Sequence, residues 1–337
     1  MQATCSGTTS AREAVLVMQR STSKILADVS DPTHPRTICT LTGLWQPQLV
    51  TASEISWTAS QYALGSPGPT VIVTLDLFSG TSAVVASWQG GGYLDGLHAW
   101  SPDGGLLAYL SSSAGGVDIH LLSGGGDHVV GSLGAVPGRG TNPNEDDVYL
   151  EFSPDGAYFA LEQTFTGSGA HLQVRRATNG TLAYSLASAT MATWASTSTG
   201  SKLYFRHLLA TLIYAWDPVA GLTKPIGQPL AWIKPRADAG DDYLAFTVRD
   251  AAGTPHVWLY GHGGRAGSQL PNVRSSPVFL TASAIFYVEE APCGVSCGPG
   301  PTTQPTGRTF IYDLSRQAET ASTILSVVAT WPRLGQI

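Results

Sequence analysis

The chain has 337 residues, of which 43% are hydrophobic and 12% are charged, and its formal net charge is −6. The apolar share excludes a disordered chain, and the scattered Lys and Arg do not form the basic stripe that nucleic acids or anionic membranes require. No run of about 18 apolar residues occurs, so no transmembrane helix is predicted. The 38 Gly and 21 Pro favour a fold with many tight turns.

The two ends of the chain predict one shared sheet. We expect a polar N-terminal tail over residues 1–10 and a single domain over residues 11–337. Three β-rich stretches follow the tail without an inner strand: Glu13–Gln19, Lys24–Val29 and Arg36–Leu41. The C-terminal stretch Ser326–Pro332 has the pattern of an inner strand without successors. We therefore predict that the C-terminal strand completes the N-terminal sheet.

The middle of the chain contains an internal repeat. His98–Tyr109 and Leu150–Leu161 each place Ser-Pro-Asp-Gly between two apolar stretches. This order suits a type I turn, because Ser occupies the first position, Pro presets the second, and Gly closes the turn. Weaker copies share an apolar or aromatic anchor. The six anchors are Trp57, Trp100, Phe152, Trp194, Ala237 and Val278, at intervals of 43, 52, 42, 43 and 41 residues.

Each repeat continues into a third β-rich stretch. These stretches are Val71–Leu77, Val117–Leu122, His171–Arg176, Thr211–Trp216, His256–Tyr260 and Arg308–Leu314. Four antiparallel strands in a unit of roughly 40–50 residues are typical of a propeller blade. Six repeats and the N-terminal sheet make seven units. We predict an all-β fold, a seven-bladed β-propeller of four-stranded antiparallel blades, in which the C-terminal strand closes the ring.

The segments Ser101–Gly104 and Ser153–Gly156 resemble the Ser-Pro-Asp-Gly repeat of the TolB-like, or WD40-like, β-propeller family. This resemblance implies a propeller that is usually extracytoplasmic. It does not imply one activity, because the relatives include partner-binding scaffolds, peptidase-associated propellers and polysaccharide lyases.

The four cysteines favour an oxidising compartment. Cys293 and Cys297 are close in a Gly/Pro-rich loop, and we predict that they form one disulfide. We predict a second disulfide between Cys5 and Cys39. These bonds favour an extracytoplasmic location, whether secreted, periplasmic or at the cell surface.

Motifs with catalytic potential have simpler structural interpretations. Asp103 and Asp155 lie in the repeated turns, where a carboxylate bonds to the turn backbone. The string Gly294–Gly298 matches Gly-x-Ser-x-Gly, but it lies in a loop between two cysteines instead of a strand-to-helix turn. The eight His have no metal-ligand spacing, so we predict no metal and no cofactor. The acidic stretch Glu145–Asp147 is either a site for a hard cation or a solvated loop.

Blade topology gives the chain two different edges. The loops between second and third strands, and the links between blades, share one edge, which we call the long-loop edge. It is predicted to carry the longest insertions, Gly131–Asp147 and Glu289–Gly307. The predicted binding residues are Asp95, His98, Glu145, Asp146, Asp147, Lys234, Arg236 and Arg274. The opposite edge, here the turn edge, carries the Ser-Pro-Asp-Gly turns.

These features predict a noncatalytic scaffold that binds a protein, peptide or glycan through the long-loop edge. One alternative is a propeller enzyme of the polysaccharide lyase or lactonase type, with its site at the channel mouth. Another is a subunit of a larger surface assembly. The sequence leaves the oligomeric state and the identity of the partner open.

Overall fold

A computed structural model shows an all-β chain. It describes residues 2–5, 14–18, 23–43, 45–63, 66–90, 94, 96–134, 147–165, 169–207, 213–225, 231–232, 238–239, 243–261, 267–293 and 303–331. Within these ranges thirty strands form seven antiparallel sheets, and no helix occurs. None of the described residues forms a helix able to span a membrane.

The first four sheets follow the chain. The first contains β1 (Gln2–Cys5), β2 (Ala14–Met18), β3 (Ser23–Asp28), β4 (Arg36–Thr42) and the last strand, β30 (Val327–Trp331). The second contains β5 (Trp45–Leu49), β6 (Glu54–Ala63), β7 (Ser66–Asp76) and β8 (Ser82–Gln89). The third contains β9 (His98–Trp100), β10 (Leu107–Ser113), β11 (Gly116–Ser123) and β12 (Gly126–Ser132). The fourth contains β13 (Asp147–Phe152), β14 (Tyr158–Phe165), β15 (Gly169–Arg176) and β16 (Leu182–Ala187).

Three more sheets complete the fold. The fifth contains β17 (Ala189–Thr197), β18 (Gly200–His207), β19 (Ile213–Asp217) and β20 (Leu222–Pro225). The sixth contains β21 (Ala231–Trp232), β22 (Asp238–Ala239), β23 (Tyr243–Arg249), β24 (Pro255–Gly261) and β25 (Ser268–Gln269). The seventh contains β26 (Arg274–Thr281), β27 (Ala284–Pro292), β28 (Thr303–Asp313) and β29 (Ala318–Ala321). The predicted seven-bladed β-propeller is therefore confirmed.

The C-terminal strand joins the N-terminal sheet, as predicted. The order of this sheet is β1-β4-β3-β2-β30, and Ala14 of β2 lies opposite Trp331 of β30. Val17 belongs to one apolar cluster with Leu280 and Phe286 of the seventh sheet, and Val327 packs against that cluster. The last strand is thus tied to the first sheet by backbone hydrogen bonds and by a shared core.

Two compact units make up the chain: residues 1–10, 19–26 and 37–190, and residues 11–18, 27–36 and 191–337. A large core of the first unit lies between the third and fourth sheets, where Ile119, Phe152 and Phe159 are fully buried. A large core of the second unit lies between the sixth and seventh sheets and includes Val257 and Tyr287. Burial on both sheet faces accounts for the continuous buried runs of second strands such as β10 and β23.

The Ser-Pro-Asp-Gly turns are closed by their own side chains. Ser101 Oγ donates to Asp103 at 2.5 Å, and the Gly105 N–H donates to the same carboxylate at 3.0 Å. Ser153 and Asp155 repeat the contact at 2.6 Å. Both carboxylates therefore have the turn-stabilising role that the sequence indicates.

Three outer strands each carry one bulge. The register skips Val85 in β8, Val130 in β12 and Ala183 in β16, so one residue of each strand lacks a cross-strand partner. Each of these strands is the last in its sheet. The bulges are a repeated feature of blades two, three and four.

The structure corrects three sequence-based details. Trp57 lies in β6, the second strand of its blade, and Trp45–Leu49 is the inner strand. Four residues of the expected tail form β1, an additional strand that pairs with β4. Both ends of the expected loop Glu289–Gly307 are paired strand, from Glu290 opposite Pro305 to Pro292 opposite Thr303. The first and third differences arise because a turn without Pro-Asp-Gly and strand ends that contain Pro give no local signal.

Candidate functional site

The structure describes three of the eight predicted binding residues. Asp147 begins β13, where it pairs with Thr164. His98 begins β9, and Arg274 begins β26. The other five lie outside the described residues: Asp95, Glu145, Asp146, Lys234 and Arg236.

His98 is a buried residue that joins the second and third blades. Its residue surface is 1% exposed. The Nδ1 atom lies 2.7 Å from Gly96 O, and Nε2 lies 2.8 Å from Ser56 Oγ. With its proton on Nδ1, the ring donates to the carbonyl and accepts from Ser56, whose oxygen also accepts the Trp100 indole N–H at 2.9 Å. These contacts give His98 a structural role, and we leave it out of the proposed binding surface.

Arg274 is also buried, with 7% of its side chain exposed. Its Nη2 and Nε atoms bind the two carboxylate oxygens of Glu319 at 2.7 and 3.1 Å. Its Nη1 atom lies 3.4 Å from Glu289, and its guanidinium lies 4.1 Å from the centre of the Phe310 ring. A planar fork that binds a carboxylate at two points is a geometry specific to Arg.

Glu289 links this buried pair to the surface. Its second oxygen lies 3.3 Å from Arg308 and accepts a hydrogen bond from Thr306 Oγ1 at 2.8 Å. The Arg308 side chain is 69% exposed. Two Arg and two Glu thus alternate across the seventh blade, and the network has no net charge. We call Arg274, Glu289, Arg308 and Glu319 the blade-seven network.

Burial and hydrogen bonds shift the pKa values of Glu319 and Tyr287 in opposite directions. Burial acts to raise the pKa of Glu319, but hydrogen bonds from Arg274 and Tyr287 and the charge of Arg274 outweigh it. The net pKa of Glu319 is therefore below its usual range. Burial and the hydrogen bond from its hydroxyl to Glu319, at 2.6 Å, raise the pKa of Tyr287.

A two-stranded ribbon extends from this network at the long-loop edge. Strands β27 and β28 remain paired past the last contact of β27 with β26, which is Glu289 opposite Arg274. We call the paired residues Glu290–Pro292 and Thr303–Pro305 the ribbon. Both ends of the ribbon are held: at its base Ser275 Oγ donates to Glu290 at 2.6 Å, and at its far end Arg249 donates to the buried Thr303 at 3.2 Å.

The cysteine predictions have different outcomes. The disulfide Cys5–Cys39 is present and joins directly opposed residues of β1 and β4. Cys293 follows the ribbon and is disulfide-bonded. Its predicted partner, Cys297, lies outside the described residues.

A polar cluster in the third blade was not predicted. Ser111 Oγ lies 2.9 Å from His120 Nε2, and His120 Nδ1 lies 3.1 Å from Asp127. This is the bonding order of a hydrolase triad, but Ser111 is only 4% exposed, so no substrate carbonyl reaches it. Tyr109 donates to Asp127 at 2.6 Å, as Tyr287 donates to Glu319 in the seventh blade.

That repeated Tyr–acid bond identifies the cluster as a structural tie between second and outer strands. The sequence does contain a signal for this bond. In two blades a Tyr occurs in the second strand and an acidic residue occurs near the start of the outer strand. Within the described residues, no three His, Cys, Asp or Glu side chains are arranged to hold a metal ion.

Comparisons with known proteins define the fold. A prolyl endopeptidase structure aligns with 96% of this chain and 50% of its own, at 14% identity and a TM-score of 0.61. The β-propeller domain of the trilobed protease from Pyrococcus furiosus aligns over 82% of both chains, at 9% identity and a TM-score of 0.54. The chain shares its β-propeller fold with these proteins. The alignment with TolB from Acinetobacter baumannii covers 80% of this chain and 65% of the TolB chain, at 18% identity and a TM-score of 0.47.

At these identities the likeness extends to the fold alone. The chain spans about half the length of the prolyl endopeptidase that it matches. No protein-family model and no curated protein matches the sequence.

Proposed function

We propose that this chain is a noncatalytic propeller scaffold that binds a protein, peptide or glycan through its long-loop edge. The extended ribbon of the seventh blade is the observation that supports this proposal. A surface that continues a rigid sheet, with both of its ends fixed, loses little conformational entropy when a partner binds. Gln304 and Pro305 of the ribbon and the next three residues, Thr306–Arg308, are all exposed.

The buried half of the blade-seven network then has a positioning role. Arg274 holds Glu289 and Glu319, and Glu289 in turn orients Arg308 and Thr306 at the surface. An exposed Arg beside Gln and Thr side chains is typical of a surface that recognises peptides or glycans by hydrogen bonds. Arg274 therefore supports the binding surface without touching the partner.

Disulfide chemistry supports an extracytoplasmic location. Cys5 and Cys39 form a disulfide, and Cys293 is also disulfide-bonded. Disulfides persist in oxidising compartments and are rare in a reducing cytoplasm.

A peptide library and a glycan array, both probed with the purified chain, test the proposal. We expect ligands retained by the parent to be lost by a variant carrying Gln304→Glu and Arg308→Glu. Val219→Glu is the matched control, because Val219 is 87% exposed in the turn between β19 and β20, at the turn edge. Ligands that survive the ribbon substitutions, or that only the Val219 variant loses, would contradict the proposal. Turnover of polyuronate or lactone substrates would favour the enzyme alternative.

A further inference from the structure

A groove lies between the third and fourth blades at the turn edge. Its volume is about 600 Å³, within the range of about 300–1,000 Å³ found for small-molecule sites. It is lined by Leu106, Leu121, Ser123, His128, Val130, Ala177, Thr178 and Asn179. All of these residues belong to the first compact unit. The groove therefore shares no residue with the ribbon, and it arises from the packing of two adjacent blades.

The two walls of the groove are fixed to each other. Arg175 of the fourth blade donates through Nη1 to Val130 O at 2.6 Å and to Gly180 O at 2.9 Å. The bulge in β12 leaves Val130 without a cross-strand partner, and its side chain packs closely against Gly180. A Cβ at Gly180 would overlap Val130, so only Gly permits this approach. The groove is preformed, which lowers the entropy cost of binding.

The lining is half apolar and half hydrogen-bonding. Leu106, Leu121, Val130 and Ala177 supply the apolar half. Ser123, His128, Thr178 and Asn179 supply the polar half. None of the eight residues is Asp, Glu, Lys or Arg.

The polar half keeps hydrogen-bonding capacity that the fold does not use. The Asn179 side-chain oxygen accepts from the backbone and hydroxyl of Thr181, which leaves the two amide donors of Asn179 for a ligand. Ser123 Oγ accepts from the Gly125 N–H, which leaves its hydroxyl proton. Among the residues that the structure describes, none bonds to the side chains of His128 or Thr178.

We propose that this groove binds a neutral oligosaccharide. A charged ligand would lose hydration without meeting an opposite charge among the lining residues, because the nearby Arg175 already donates to Val130 O, Gly180 O and Gln173. A fully apolar ligand would cover the four polar side chains without replacing their bonds to water. A neutral pyranose ring avoids both costs, because it presents C–H groups on its faces and hydroxyl groups at its rim. The proposal does not depend on the ribbon.

The experiment uses the whole chain and three neutral probes: maltotriose, cellotriose and triacetylchitotriose. Trigalacturonate is the charged comparison. Binding is measured by titration calorimetry and by saturation-transfer NMR. Ser123→Trp fills the groove, and His128→Ala removes a hydrogen-bonding side chain from an exposed position. Ser79→Trp is the matched control, because Ser79 Oγ accepts the Thr81 N–H in the corresponding turn of the second blade, outside the groove.

At least one neutral trisaccharide should bind with a dissociation constant in the millimolar range or below. Ser123→Trp and His128→Ala should each weaken that binding by at least about tenfold, whereas Ser79→Trp and the ribbon variant should leave it unchanged. Equal melting temperatures would show that the variants are folded. The proposal is overturned if no neutral probe binds, if trigalacturonate binds best, or if neither groove variant weakens binding. Loss of binding in the ribbon variant alone would assign the saccharide to the long-loop edge.

Discussion

Arg274→Ala should destabilise the chain far more than Arg308→Ala, although both residues bind Glu289. Arg274 is 7% exposed, whereas Arg308 is 69% exposed. Removing one partner of a buried ion pair costs about 3–5 kcal/mol, because the other charge stays buried without compensation. An exposed pair contributes about 0–1 kcal/mol. The expected difference of about 2–5 kcal/mol corresponds to roughly 1.5 to 3.5 orders of magnitude in the unfolding equilibrium constant, since about 1.4 kcal/mol is a factor of ten.

Two further variants separate charge from packing. Arg274→Met keeps apolar contact with Phe310 but leaves Glu319 without its cation, so its loss should approach that of Arg274→Ala. Adding Glu319→Gln to Arg274→Met should restore part of the stability, because a neutral amide has a lower cost of burial. Urea unfolding followed by Trp fluorescence gives the free energies. Equal losses for Arg274→Ala and Arg308→Ala would refute the reasoning.

The pH dependence provides a second readout. The folded pKa of Glu319 is below its unfolded value, so its contribution is present above the unfolded Glu pKa of about 4.3 and is lost as the pH falls through the folded pKa. In Arg274→Ala, burial still raises the pKa of Glu319, but the hydrogen bond and the charge of Arg274 no longer lower it. The stability that the variant loses at low pH should therefore be smaller than the stability that the parent loses. A parent and variant with parallel pH profiles would contradict the assigned cause of the pKa shift.

Three other changes test the fold. Reduction of Cys5–Cys39, which are 34 residues apart, should cost about 4 kcal/mol by the loop-entropy relation; an unchanged melting temperature with and without reductant would contradict this. Deletion of Ser326–Ile337 removes β30 from the first sheet and should abolish the cooperative unfolding transition seen by calorimetry; a transition as cooperative as that of the parent would contradict the pairing. Asp103→Ala or Asp155→Ala should each lower the unfolding free energy by about 1–2 kcal/mol, since each removes an acceptor from a turn; a loss of ligand binding at unchanged stability would instead indicate a functional role.

The sequence predicted the blades wherever a local signal recurs. The Ser-Pro-Asp-Gly turns fix the first two strands of the third and fourth blades, because Pro and Gly restrict the backbone independently of tertiary contacts. The second blade was misassigned because Trp57 resembles Trp100 in pattern but lies one strand further out. Its inner turn, Thr51–Ser53, closes through a Thr hydroxyl instead of an Asp. Such a turn cannot be recognised without the sheet around it.

The candidate site was predicted less completely than the fold. Arg274 was placed correctly at the start of an inner strand, but its burial was not foreseen. Its main partner, Glu319, is 45 residues away in the chain and enters through the outer strand. His98 was likewise predicted at a strand start, and its contact with Ser56 depends on how two blades pack. Contacts at this separation leave no periodicity in the sequence.

The bulges of the outer strands have a consequence for self-association. A flat edge strand without charge or Pro is a template for pairing with another chain, and β8 and β16 contain neither. Val84 and Leu182 are more than half exposed, so these edge strands present apolar surface to another chain. Val85 and Ala183 are the skipped residues of these strands, and because a bulge bends its strand and disrupts regular pairing, we expect each edge to be a poorer template for another chain. Many sheets protect their edge strands from aggregation with Lys side chains. In this low-charge chain we expect the bulges of β8 and β16 to have that role.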